Sequence, residues 1–215
     1  FHQEAGSRMS TNTIVLHGGL VRNNIHVKLA GEYAEADILG LYLVDREQHV
    51  DTQVYVDHAV PHCTSNEMFK GILDDQASGV FNGHILVRKG AQKTQAYQNN
   101  RNILLTDKAR IHTKPHLEIY ADDVKCSHGA TIGQLDPEAM FYLRTRGIGE
   151  HTARMLLMYA FAAEVIRKIG VEPLRERIDE LVAKRLRGEL TICDQCVIDC
   201  RERRPVAFDI DLSKI

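Results

Sequence analysis

A mostly β protein with an α-helical C-terminal part is the fold class that three observations predict. Between about Thr13 and Ile132, short runs alternate apolar and polar residues and are separated by Gly, Asn and Asp. That is the period-two mark of strands with one buried face. No helical stretch interrupts them, which argues against a doubly wound α/β sheet. Behind Gly133 the period lengthens to that of amphipathic helices.

The strands come first. Ile25, Val27 and Leu29 alternate with Asn24, His26 and Lys28; Val50, Thr52, Val54 and Val56 alternate with His49, Asp51, Gln53, Tyr55 and Asp57. Leu117, Ile119 and Ala121 alternate with His116, Glu118 and Tyr120. Many short strands fit a sandwich, a barrel or a β-helix, and periodicity without a strict repeat does not choose among them. The helices follow. Asp136 suits an N-cap, Pro137 the first helical position and Glu138 the positive helix end, with Gly147 as the stop. A second helix over about Glu150–Ile169 places Ala153, Leu157, Ala160, Phe161 and Glu164 near one face, with Leu156 and Val165 beside it, before Gly170. A third over about Pro173–Arg187 carries Leu174, Ile178, Leu181 and Val182 as its stripe and ends at Gly188.

With 215 residues and 44% apolar content, the chain can bury a substantial core. A net charge of −2 gives no basic field for nucleic acid or an anionic membrane. The longest apolar run, Met155–Ala163, is too short to span a bilayer. Five cysteines, unevenly placed, do not form a disulfide framework, so a cytoplasmic location is expected. The chain opens on Phe1, and the start reads as a cut or processed end within a longer protein.

Cys126 and His128 are the main chemical candidates. On a strand, residues i and i+2 share a face, about 7 Å apart by strand rise. A thiolate and an imidazole suit zinc, copper(I) or an iron–sulfur cluster, but they are half a site, and another strand or subunit must complete it. The tail offers Cys193, Cys196 and Cys200, a Cys-x₂-Cys-x₃-Cys cluster able to hold zinc or a cluster with one outside ligand. His58, His62 and Cys63 could meet a metal only if the loop folds back at Pro61; otherwise they form an ordinary strand-to-turn segment. Neither a Gly-x₄-Gly-Lys-Ser/Thr phosphate loop nor a Gly-x-Ser-x-Gly elbow is present.

The surrounding residues carry a resemblance. Pro115-His-Leu-Glu-Ile-Tyr-Ala-Asp-Asp-Val-Lys-Cys-Ser-His-Gly-Ala-Thr-Ile-Gly-Gln-Leu-Asp136, followed by Phe141-Tyr-Leu-Arg-Thr-Arg-Gly147, resembles the SufB/SufD family of iron–sulfur cluster assembly scaffolds. His62-Cys-Thr-Ser-Asn-Glu-Met-Phe-Lys-Gly71, Gly79-Val-Phe-Asn-Gly83 and Gln92-Lys-Thr-Gln-Ala-Tyr-Gln98 resemble it too, so the likeness covers roughly residues 45–187. Cys126-Ser-His-Gly129 is similar to the SufD branch; the SufB branch has a Glu-rich segment there.

The resemblance implies a right-handed parallel β-helix followed by a small helical bundle. It divides the chain into a β-helix core (1–134), a helical domain (135–190) and a Cys-containing tail (191–215). The tail departs from the SufD pattern. The function implied is a non-catalytic scaffold that pairs with a SufB-like subunit and binds a SufC-like ABC ATPase through its C-terminal helices. In isolation a homodimer is expected, with no nucleic acid or membrane partner. An iron–sulfur cluster would be held transiently at a subunit interface and none permanently, with His128 the first ligand candidate and Cys126 the second. Two alternatives remain. One is a homodimeric scaffold of SufB type. The other is a β-helical carbohydrate-active enzyme resembling polysaccharide lyases, with Asp74-Asp75 and Asp122-Asp123 as acidic ligands and Lys125 as the base. Adjacent acids on a strand point to opposite faces, and a chain without Trp offers little sugar-stacking surface.

Overall fold

The computed structural model describes residues 1–190. Its first unit, Phe1–Gln134, carries ten strands. They are β1 (His2–Gln3), β2 (Arg8–Val15), β3 (Leu20–Leu29), β4 (Glu35–Val44) and β5 (His49–His58). Then come β6 (Thr64–Leu73), β7 (Ser78–Val87), β8 (Gln95–Leu104), β9 (Arg110–Ile119) and β10 (Lys125–Gly133). Odd strands form one sheet, in the order β1-β3-β5-β7-β9, and even strands the other, β10-β8-β6-β4-β2. All pairings are parallel. Each coil therefore gives one strand to each sheet, which makes this a parallel β solenoid.

The missing strict repeat has a simple cause. Leu20 faces His49 and His49 faces Ser78, but Ser78 faces Arg110, so the coil lengthens from 29 residues to 32. Strand length is kept while turns absorb the insertions. Turn geometry does recur: Tyr33, His62 and Lys93 all have positive φ, as do Arg46 and Asp75. Left-handed backbone costs a non-glycine residue about 1–2 kcal/mol. Stacking offsets some of this, since the Tyr33 and His62 rings lie parallel with centroids 5.0 Å apart.

Alternation puts Ile25, Val27 and Leu29, then Val50, Val54 and Val56, then Phe81, Ile85 and Val87 inside. Burying each such side chain contributes about 1.5–3 kcal/mol. Strands begin at His2, well before Thr13, because the polar run Arg8–Thr13 lies in a partly exposed first coil that the alternation does not reveal. Pro115 sits in β9, at the edge of its sheet, where a missing N–H is tolerated.

The second unit begins at Leu135 and contains α1 (Pro137–Thr145), α2 (Glu150–Ile166) and α3 (Glu172–Leu186). Asp136 caps α1, accepting from the backbone N–H of Glu138 at 2.9 Å and of Ala139 at 3.4 Å. The buried face of α2 differs from the expected one: Ala153, Met158, Ala162, Ala163, Val165 and Ile166 are inside, Leu157 and Phe161 are half-buried, and Leu156, Ala160 and Glu164 are exposed. A helix apolar over most of its circumference does not announce which side it buries. In α3, Ile178, Val182 and Leu186 are buried while Leu174 is exposed. Tyr159 joins the two helices by donating to Asp179 at 2.6 Å. Among the described residues, no helix is long and apolar enough to cross a membrane.

Candidate functional site

The solenoid ends at β9 and β10, which have no further strand beside them among the described residues. Parallel register decides what reaches that edge. On β8 the inward positions are Ala96, Gln98, Asn100 and Asn102, and their partners on β10 are Cys126, His128, Ala130 and Ile132. Cys126 and His128 thus continue two interior columns onto an uncovered strand.

Cys126 is half-buried and packs against the apolar core below Ala96. Burial raises its thiol pKa, with a backbone hydrogen bond at Ala96 opposing the shift. His128 is exposed. Its column runs back through Gln98 to Glu67. Gln98 Nε2 donates to Glu67 Oε2 at 2.8 Å, and Gly83 leaves the space: a Cβ there would lie 2.2 Å from that nitrogen. Burial pushes the Glu67 carboxyl up to about 8, so it stays largely protonated at neutral pH.

Beside this column runs a second polar file. Tyr42 donates to Asn102 Oδ1 at 2.5 Å, Asn102 Nδ2 to Asn100 Oδ1 at 2.7 Å, and Asn100 Nδ2 to the Tyr42 oxygen at 3.2 Å. Burial raises the Tyr42 pKa, which keeps its hydroxyl neutral. Sequence reasoning missed both files. Their signal is the spacing of Gln98, Asn100 and Asn102 at every second position of β8, the spacing of a single strand face.

The other candidates fall in separate places. His58 is buried at the end of β5, bonded through Nε2 to the Ser65 hydroxyl at 2.8 Å, and burial lowers its pKa to about 4. His62 stacks on Tyr33 in a turn, and Cys63 is buried with its thiol donating to the Gly31 carbonyl at 3.3 Å. Asp74-Asp75 and Asp122-Asp123 lie in turns rather than strands. Asp75 accepts from the Arg46 N–H at 3.0 Å and Asp123 pairs with Lys93, so the acids build corners. Glu118 faces His84 and His116 on the outer surface of the odd-strand sheet. Cys193, Cys196 and Cys200 lie outside the described residues.

The described residues thus form a two-sheet parallel solenoid whose interior columns run out onto an edge bearing a thiol and an imidazole. Residues 1–161 match the family described as SUF system FeS cluster assembly, SufBD core domain, and the chain belongs to that family. It is 39% identical over 178 residues to the iron–sulfur cluster assembly protein SufD of Escherichia coli (strain K12), covering 83% of this chain and 42% of that protein. An iron–sulfur cluster assembly SufBD family protein of Synechocystis sp. is 41% identical over 179 residues, covering 83% and 40%. The chloroplastic protein ABCI7 of Arabidopsis thaliana is 36% identical over 178 residues, covering 81% and 37%. The chain thus spans less than half the length of these relatives. The comparisons give the carbohydrate-enzyme alternative no support.

Proposed function

We propose that this chain serves as the cluster-facing part of a SufD-like, non-catalytic scaffold subunit in iron–sulfur cluster assembly. The observation that carries the reading is the emergence of an interior polar column at exposed His128, beside half-buried Cys126, on an unpaired strand edge. An edge of free N–H and C=O groups invites another chain, and exposed Ile119, Tyr120 and Ile132 add apolar area there. The edge partner proposed is a SufB-like subunit, with a homodimer forming when the subunit is alone. The cluster is cargo, held across the junction and released when the subunits separate and split its ligands. His128 is its first ligand from this side; Cys126, whose thiol pKa is raised, is the second and weaker one. Cys193, Cys196 and Cys200 are kept as a separate candidate metal set.

The helical unit is proposed to receive a SufC-like ABC ATPase, for which exposed Phe141, Tyr142, Leu156 and Leu174 provide apolar contacts. ATP hydrolysis by that partner would drive the opening of the junction. A cytoplasmic location accords with free thiols at Cys63 and Cys126.

The test is complementation of a strain lacking this subunit. Cys126→Ser should retain partial growth and His128→Ala should lose it, both in complexes that still co-purify with the SufB-like and SufC-like partners. Full growth with His128→Ala would leave the chain as a structural partner only.

A further inference from the structure

We propose that His84, His116 and Glu118 form a binding site for a divalent first-row transition-metal ion on the outward face of the odd-strand sheet, independent of the Cys126–His128 edge. His84 on β7 lies opposite His116 on β9 in parallel register, and Glu118 follows His116 by two residues on the same face. Three ligand residues arrive together because the coil is closed by packing inside, where Ile85 is fully buried, and leaves these outward positions to chemistry.

The spacing is that of a metal centre. Glu118 Oε1 is 3.2 Å from His116 Nε2 and 3.5 Å from His84 Nε2, and the ligand atoms of the three residues lie within 4.8 Å of one another. Metal–ligand bonds of about 2.0–2.2 Å at tetrahedral angles hold neighbouring donor atoms about 3.3 Å apart. Both nitrogen–oxygen edges are therefore at coordination distance already, and only the gap between the imidazoles has to close. His84 Nε2 is also buried without a hydrogen-bond partner, facing the carboxylate at ion-pair rather than hydrogen-bond geometry. Buried polar atoms left so are uncommon, and a bound cation satisfies this one.

The rings are held from behind. Tyr55 stands edge-on to His84, with centroids 5.0 Å apart and planes at 86°, and His84 meets His116 at 4.8 Å and 77°. Such support limits the reorientation needed to bind. Two imidazoles and one carboxylate suit iron(II), cobalt(II), nickel(II) or zinc(II), whereas calcium and magnesium require mainly oxygen ligands. Three protein ligands leave coordination positions for water.

The experiment titrates the intact subunit with zinc(II), and in parallel with cobalt(II), while the histidine ring signals are followed by NMR. The His84 and His116 rings should shift with zinc and broaden with cobalt, and one equivalent should bind with visible bands of nitrogen and oxygen ligation. Glu118→Gln and His116→Ala should weaken binding by at least about tenfold, a loss that even outer-shell changes produce, with the metal-free melting temperature unchanged. His84→Ala is the riskier variant for folding, and the other two decide the matter without it. Unmoved His84 and His116 rings at saturating zinc would overturn the proposal, as would wild-type affinity in Glu118→Gln and His116→Ala. Cobalt bands of thiolate ligation alone would do the same, because the metal would then sit on cysteines.

Discussion

The middle coils of the solenoid and its terminal coil share one side-chain plan and behave as opposites. In the middle, Val56, Phe81 and Ile85 are fully buried, and even the polar interior groups are sealed, with Gln98 donating to Glu67 and Asn100 to Tyr42. One coil further on, the columns of Ala96, Gln98 and Asn102 end at Cys126, His128 and Ile132, and Ile132 is 48% exposed. The difference is coverage rather than composition. A column that ends without a lid turns an interior position into an exposed one.

The largest effect should come from the sealed side. Phe81→Ala should destabilise the solenoid by about 3–5 kcal/mol, and Ile132→Ala by no more than about 0.5 kcal/mol, in urea unfolding of the isolated subunit. Equal losses would mean that the terminal coil is as closed as the middle.

The sealed polar groups should give the next effect, and the sign differs between them. The folded pKa of Glu67 is raised to about 8, so its contribution is present below the ordinary carboxyl value and is lost as pH rises toward 8. The folded pKa of His58 is lowered to about 4, so its contribution is present above the ordinary imidazole value of 6.5 and is lost as pH falls toward 4. Glu67→Gln should remove the fall in stability between about pH 4.5 and 8 and leave the curve below pH 4.5 as it is. An unchanged slope over that range would show that Glu67 is ionised in the fold.

At the exposed edge, stability should hardly respond while association does. Ile119 is 41% exposed at the end of β9, so Ile119→Asp should leave the melting temperature near wild type and shift the subunit toward monomer in light scattering. A persistent dimer would move the interface elsewhere.

Much of this contrast was legible in the residues. The alternation of Ile25, Val27 and Leu29 marks a buried strand face, and Asp136-Pro137 marks the start of the helical unit, because local chemistry decides both. Glu67, Gln98, Asn100 and Asn102 hid the interior of the even-strand sheet, since inward polar residues break the pattern that reveals a strand face. His84 and His116 meet only because the coil between them is 32 residues long, a register that insertion-tolerant turns conceal. The face of α2 was hidden by its own excess of apolar residues.

The proposed function places the chemistry of the open end of the solenoid on His128. The direct measurement is iron and acid-labile sulfide per complex, purified with its partners after cluster assembly, for wild type and His128→Ala, alongside the melting temperature of each. For His128→Ala the melting temperature should be unchanged, with iron and sulfide reduced to near background. Full iron and sulfide loading of His128→Ala at an unchanged melting temperature would contradict the proposed function.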